Sequence, residues 1–426
     1  MRIVEASDAG ALTRLYAGGW QASPEVRSTV EAILDEVRSR GDDALVEYTR
    51  KFDFLEASRA RLRVEIPPLD AARAALPDDV ADGFALAHDR IARFHELQQP
   101  HDLEHRDADG TLSAFLVRPF SAVGAYVPGG TARLPSSLLM TVVPAKIARV
   151  PRVVVMTPPR PDGTVDPAIL FAAALCGVDE LYAAGGAQAI GALAYGTATI
   201  ERVDKIVGPG NVWVTEAKRQ VFGTCAIDGL AGPSEILVLA DDAADPKLVA
   251  GELVAQAEHD PLSRVAVASE DRAVLERVKA LLEGPFATES GRSEIIERVL
   301  RDGAYLIHAR DRAAMLEVVD RFAPEHLSLQ VREPWELVPH VRRAGAIFVG
   351  AESPVAAGDY LAGSNHVLPT SGSARFSSGL RTADFYRTMS LVHNSAERMR
   401  HDAPLLAALA DFEGLPAHAR TARMRE

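Results

Sequence analysis

The chain has 426 residues, 47% hydrophobic and 25% charged, a globular balance that excludes disorder as its main state. Its formal net charge is −13 and no basic block relieves it, so neither nucleic acid nor an anionic membrane is an expected partner. No apolar run approaches the roughly 18 residues of a bilayer span, and the start lacks the apolar stretch of a secretory signal, so the cytoplasm is the expected location.

In chain order, Ser23-Pro24 predicts an N-cap and a first helical position. Val26, Val30, Ile33, Leu34 and Val37 then keep a 3.6 period as far as Gly41. Further helices are expected over 43–52 and 80–97, with a short β element at 112–117. From about residue 120 the pattern changes. Strand-length apolar runs fall at 153–156, 180–183, 205–207, 236–240, 265–269, 304–308, 327–331 and 346–349. Between most of them lie amphipathic stretches, at 167–176, 187–196, 211–222, 246–258, 271–283, 311–322 and 334–343. This alternation predicts an α/β fold of parallel sheets covered by helices. Eight strands suit one barrel or two open sheets, and the glycine-rich joint at 208–235 favours two modules. Residues 364–380, rich in Gly, Ser and Pro, read as an ordered loop. Helical segments are expected after it, at 383–391 and 395–411.

Several constellations could carry chemistry. The G-x-G-x-x-G fingerprint is absent. Gly185-Gly186-Ala187-Gln188 and Gly208-Pro209-Gly210-Asn211 each follow a strand and open a helix. Such turns either present free N–H groups to an anion or need glycine for geometry alone. Gln256 and His259 share a helix face, and Asp359, His366 and His418 follow later. These are nitrogen and oxygen donors of the kind zinc accepts, or unrelated polar residues at helix ends and in loops, since no compact zinc motif is present. Glu325-His326 is either a general acid/base pair or a strand start whose side chains face opposite ways. Ser234 is not in a G-x-S-x-G elbow. Cys176 and Cys225 form no C-x-x-C and read as two buried thiols without an activating partner.

Longer strings are more specific. GAYVPGG (124–130), GGAQAIGALAYGT (185–197), VDKIVGPGN (203–211) and AGPSEILVLAD (231–241) occur in order. QAEHD (256–260), APEHL (323–327), GDYLAGSNHVLPTSGSARFSSGL (358–380) and EGLPAHA (413–419) follow. From about residue 20 to its end the chain closely resembles histidinol dehydrogenase. The resemblance implies zinc-dependent oxidation of L-histidinol to L-histidine through L-histidinaldehyde, the last step of histidine biosynthesis, with two NAD reduced in sequence. Carried over motif by motif, it makes Gln256, His259, Asp359 and His418 the ligands of one zinc ion per subunit. Glu325 and His326 become the acid/base pair. Ser234, His326, His366, Glu413 and the metal ligands become substrate contacts. Tyr126, Gln188 and Asn211 become NAD contacts.

The resemblance also implies two Rossmann-like parallel-sheet modules with smaller helical N- and C-terminal segments, in an intertwined homodimer whose Glu413 and His418 complete the partner's site. The expected division is an arm at 1–22, a first module from 23–120 with 235–380, a second at 121–234 and a dimerisation segment at 381–426. Leu134, Gly379 and Thr382 depart from the pattern, which would have an aromatic residue, Pro and Val there. An alternative keeps the scaffold but oxidises another polar alcohol, such as a sulfonated diol. A sulfonate should want added Arg or Lys around Ser234, His366 and Glu413, and those motifs contain none.

Overall fold

The structure, a computed structural model, describes residues 1–19, 21–54, 56–129, 134–289 and 291–426. Gly130, the last residue of the GAYVPGG motif, lies outside the described residues. The strands are β1 (Ile3–Glu5), β2 (Arg63–Val64), β3 (Leu103–Arg106), β4 (Leu112–Pro119), β5 (Ala122–Tyr126), β6 (Arg152–Thr157), β7 (Glu180–Ala183), β8 (Lys205–Val207), β9 (Ala226–Ile227), β10 (Glu235–Ala240), β11 (Arg264–Ser269), β12 (Ala304–His308), β13 (His326–Gln330), β14 (Ala346–Val349) and β15 (Tyr386–His393).

They form two six-stranded sheets and one three-stranded sheet. The first sheet runs β1-β12-β11-β10-β13-β14, parallel throughout. The second runs β2-β7-β6-β5-β8-β9, parallel except for β2 at its edge. Numbered within each module, the five central strands have the same order, 3-2-1-4-5, which is the Rossmann-type winding. Two open sheets, not a barrel, are therefore the architecture. Strands such as Val153, Val154, Val155 and Met156 are buried on both faces, which is why they read as continuous apolar runs rather than alternating ones.

Three expectations need correction. The first concerns 23–120, which does not join the module of 235–380. The helix Pro24–Arg40 buries Val30, Ile33, Leu34 and Val37 in one core with Ile190, Leu193 and Val214 of the second module. Gly191 permits that approach, since a Cβ there would lie 3.0 Å from Leu34 Cδ2. On the other face, Ala87 and Ile91 of the helix Asp78–Glu96 pack with Leu138, Leu139 and Val142. A parallel sheet must be covered on both faces, and these helices complete the cover of the second sheet.

The second correction concerns 383–391, which is strand rather than helix. Thr382–Phe385 is a short 3-10 turn, and β15 then pairs along its whole length with β4, from Tyr386↔Pro119 to His393↔Leu112. A long antiparallel partner overrides whatever helical period the segment has. With β3 it makes a three-stranded antiparallel sheet. The third is β5, which is absent from the expected strands because Ala-Val-Gly-Ala-Tyr carries few β-branched residues. It is nonetheless central in its sheet, between β6 and β8.

Candidate active site

The acid/base candidates lie at the amino edge of the first sheet. Glu325 immediately precedes β13, His326 opens it, and both are buried. Both side chains turn to the same residue. Glu325 Oε2 accepts from the Glu235 N–H at 2.8 Å, and His326 Nδ1 lies 2.9 Å from the Glu235 carbonyl. A carbonyl can only accept, so Nδ1 carries the proton and Nε2 is left with its lone pair. Glu325 Oε2 and His326 Nδ1 are 3.6 Å apart, so the two do not face opposite ways. Burial pushes His326 down to about 4, with the His259 and His366 charges acting in the same direction. Burial raises Glu325 well above the usual carboxylate range, against the Glu235 N–H and with the charges of Glu235 and Asp359.

These interactions bring five of the expected residues together. Gln256 and His259 fall at the end of the helix Pro246–Ala257, whose C-terminus lies before the amino edge of β11. His259 is exposed as a residue, but partial burial of its ring lowers its pKa against the pull of Glu258. Asp359 lies in the last turn of the helix Val355–Tyr360, and burial with the nearby Glu252 pushes it up to about 6. His366 donates Nδ1–H to the Asp359 carbonyl at 3.0 Å, leaving Nε2 to accept from Ser137 Oγ at 3.2 Å. Burial holds His366 down to about 4. Ser137 belongs to the helix after β5, so this contact joins the first sheet's site to the second module.

The fit to a cation can be tested on these groups. Gln256 is 2% exposed, and its amide oxygen, rather than the unpartnered Nε2 donor, is the atom a cation would take. Asp359 is a carboxylate raised by burial that a positive charge would lower again. Gln, His and Asp are acceptable zinc donors. The donor set of one chain is short, however. Among the described residues no group of three or more His, Cys, Asp and Glu side chains is placed to hold a metal.

The second module supplies the nucleotide candidates at its carboxyl edge. Tyr126 ends β5, the Gly185–Gln188 turn follows β7, and Asn211 follows β8. The order of strands reverses between β5 and β8, which is where ligands bind in such sheets. Three of the turn N–H groups are already engaged within the chain. Gly185 N–H donates to Asp53 Oδ2 and Gly186 N–H to the Tyr126 hydroxyl, each at 3.2 Å. Gly208 N–H donates to Asp228 at 2.7 Å. At these positions the geometric role of glycine accounts for the sequence. The polar side chains retain capacity for a ligand. Gln188 is 1% exposed with Nε2 unpartnered, and Asn211 Oδ1 caps its helix, leaving Nδ2.

Comparison with known proteins bears on this arrangement. The histidinol dehydrogenase family pattern matches residues 19–426. A histidinol dehydrogenase of Rhodospirillum rubrum is 49% identical over 97% of this chain and 96% of its own. One from Synechococcus is 44% identical over 94% and 92%. The crystal structure of histidinol dehydrogenase from Elizabethkingia anophelis superimposes with a TM-score of 0.91 at 33% identity, covering 100% of this chain and 98% of that one. The chain belongs to the histidinol dehydrogenase family.

Membership makes it an oxidoreductase. Of the site residues carried over from the family motifs, the structure brings Glu325, His326, His259, Asp359 and His366 together, with Gln256 three positions before His259 and Ser234 just ahead of β10. Glu413 and His418 stand apart. Both are exposed, at the end of the helix Ala396–Phe412 and on the helix Pro416–Arg423, which pack on each other around Ala407, Ala419 and Ala422. Both thiols are free and buried, and burial pushes each up to about 12, so neither is a thiolate at neutral pH. Thr382 is buried with its hydroxyl satisfied by the His95 carbonyl at 2.8 Å. Three residues that contact the site were not legible in the sequence. Glu235, Asp53 and Ser137 have no motif spacing to the residues they touch. No helix among the described residues is long and apolar enough to cross a membrane.

Proposed function

We propose that this chain oxidises L-histidinol to L-histidine, the last step of histidine biosynthesis, through L-histidinaldehyde and with two NAD reduced in turn. The observation that carries the reading is the Glu325–His326 pair, buried beside His259, Asp359 and His366 in a chain whose family match is almost complete. His326 presents an unprotonated Nε2 at neutral pH, so it takes the hydroxyl proton as hydride leaves the alcohol carbon. Its burial excludes bulk water from the proton-transfer site. Glu325 has a raised affinity for a proton and helps draw one from the water that attacks the aldehyde. Once His326 has released the first proton to solvent, its Nε2 receives the proton of the hydrated aldehyde as the second hydride departs.

Gln256, His259 and Asp359, with His418 of the partner subunit, would hold a zinc ion whose charge orients the imidazole and amine nitrogens of the substrate. Tyr126, Gln188 and Asn211 would hold NAD, the hydride acceptor of both halves. Ser234, His366 and Glu413 of the partner subunit would complete the substrate contacts. The working unit is a homodimer with shared sites. Its support is the region formed by the β3-β4-β15 sheet and the C-terminal helices, where Val392, Leu409 and Phe412 are 71, 63 and 92% exposed. That much apolar surface in one region marks a protein interface.

The substrate test compares NADH formation from L-histidinol and from a sulfonated diol. Turnover of histidinol alone is expected. Turnover of the diol alone would overturn the reading in favour of the alternative, which the family relatives do not support.

A further inference from the structure

Glu235 is wholly buried at the head of β10, yet it is a carboxylate outside every role described above. Its main chain grips both acid/base residues, with the N–H on Glu325 and the carbonyl on His326 Nδ1. Its side chain is ion-paired with Arg264, its neighbour in register on β11. The Arg264 guanidinium is largely buried too. It donates to the carbonyls of Leu15 at 3.0 Å and Ala17 at 2.8 Å, at the end of the helix Thr13–Tyr16, and lies over the Phe322 ring. The carboxylate also faces the main-chain N–H groups of Ser371 and Glu325, which act with Arg264 against the effect of its burial.

A buried ion pair is a poor stabiliser, since apolar residues of the same shape often do as well. What the pair provides is direction. It fixes the Glu235 peptide groups from the side-chain end, and a rotation there would release the Nδ1–H contact that selects the His326 tautomer. We propose that the Glu235–Arg264 pair is a positioning device for the acid/base couple, one that also ties the N-terminal segment 13–17 to it. The proposal rests on the assignment of Glu325 and His326 as that couple. Neither Glu235 nor Arg264 touches the reacting atoms.

The experiment compares Glu235→Gln and the apolar double variant Glu235→Met/Arg264→Met with the parent, in the zinc-loaded full chain. Three quantities are read: kcat and KM for histidinol, the denaturation midpoint, and the His326 tautomer by imidazole nitrogen NMR, assigned with His326→Asn. The single variant is expected to lower kcat at least about tenfold with KM little changed, and to mix the tautomers. In the double variant the midpoint should return while kcat stays low and the tautomer mixed. A double variant with parental kcat and a pure Nδ1–H tautomer would overturn the proposal and leave the pair a structural one. The tautomer is read without turnover, so it decides the positioning role even if histidinol proves not to be the substrate.

Discussion

At the scale of single residues, burial sets the chemistry more than charge pairing does. His326 and His366 are both held near 4, and each donates Nδ1–H to a main-chain carbonyl, so both present an unprotonated Nε2 at neutral pH. Asp53 shows the converse cost. Burial pushes its carboxyl from an ordinary 3.8 to about 6, opposed by the Gly185 N–H. Between those values the folded chain holds more protons than the unfolded one, so stability falls as pH rises through about 6. The gap corresponds to at most about 3 kcal/mol, and solvent at the partly exposed carboxyl reduces it to about 1–2 kcal/mol. Asp53→Asn keeps an acceptor for Gly185 without the charge. It is expected to raise the unfolding free energy by about 1–2 kcal/mol at pH 8 and by almost nothing at pH 4. Equal effects at both pH values in denaturant titrations would contradict this. The adjacency of Glu325 and His326 was visible in the sequence, but the convergence of their side chains was not. It depends on Glu235, which lies about ninety positions away and meets them only when β10 pairs with β13.

At the scale of elements, the strand–helix alternation from 153 onward was legible because both faces of each sheet are covered and its strands are plain apolar runs. What was not legible depended on partners distant in sequence. β15 is a strand because β4 lies beside it, and the helix Pro24–Arg40 covers the second sheet because small residues of the helix Gly186–Tyr195 admit it. The glycine turns read ambiguously, and packing decides Gly208. Its φ is +110°, and a Cβ would lie 2.2 Å from the Tyr126 carbonyl oxygen, a backbone atom that cannot swing aside. Gly208→Ala is therefore expected to cost about 2–4 kcal/mol and to displace the end of β5 that carries Tyr126. A denaturation midpoint within error of the parent would refute that.

At the scale of the whole molecule, two sheets of equivalent winding carry the candidate residues on opposite edges, the acid/base pair at the amino edge of β10 and β13 and the nucleotide candidates at the carboxyl edge of β5 and β8. Glu413 and His418 stand exposed on the C-terminal helices, and the proposed function places them in the partner subunit's site. Sharing between subunits makes a countable prediction. A His326→Asn chain and a His418→Asn chain are each inactive alone. After random exchange in equal amounts, half the dimers are mixed and each regains one intact site, so about a quarter of parental activity should return. No recovery in mixtures shown to contain mixed dimers would place His418 in its own chain's site. The most direct test of the central claim is the NADH yield from limiting L-histidinol with excess NAD, with and without a chelator. Two NADH per histidinol are expected, lost on metal removal and restored by zinc. One NADH per histidinol, or none from the folded, zinc-loaded protein, would contradict the account.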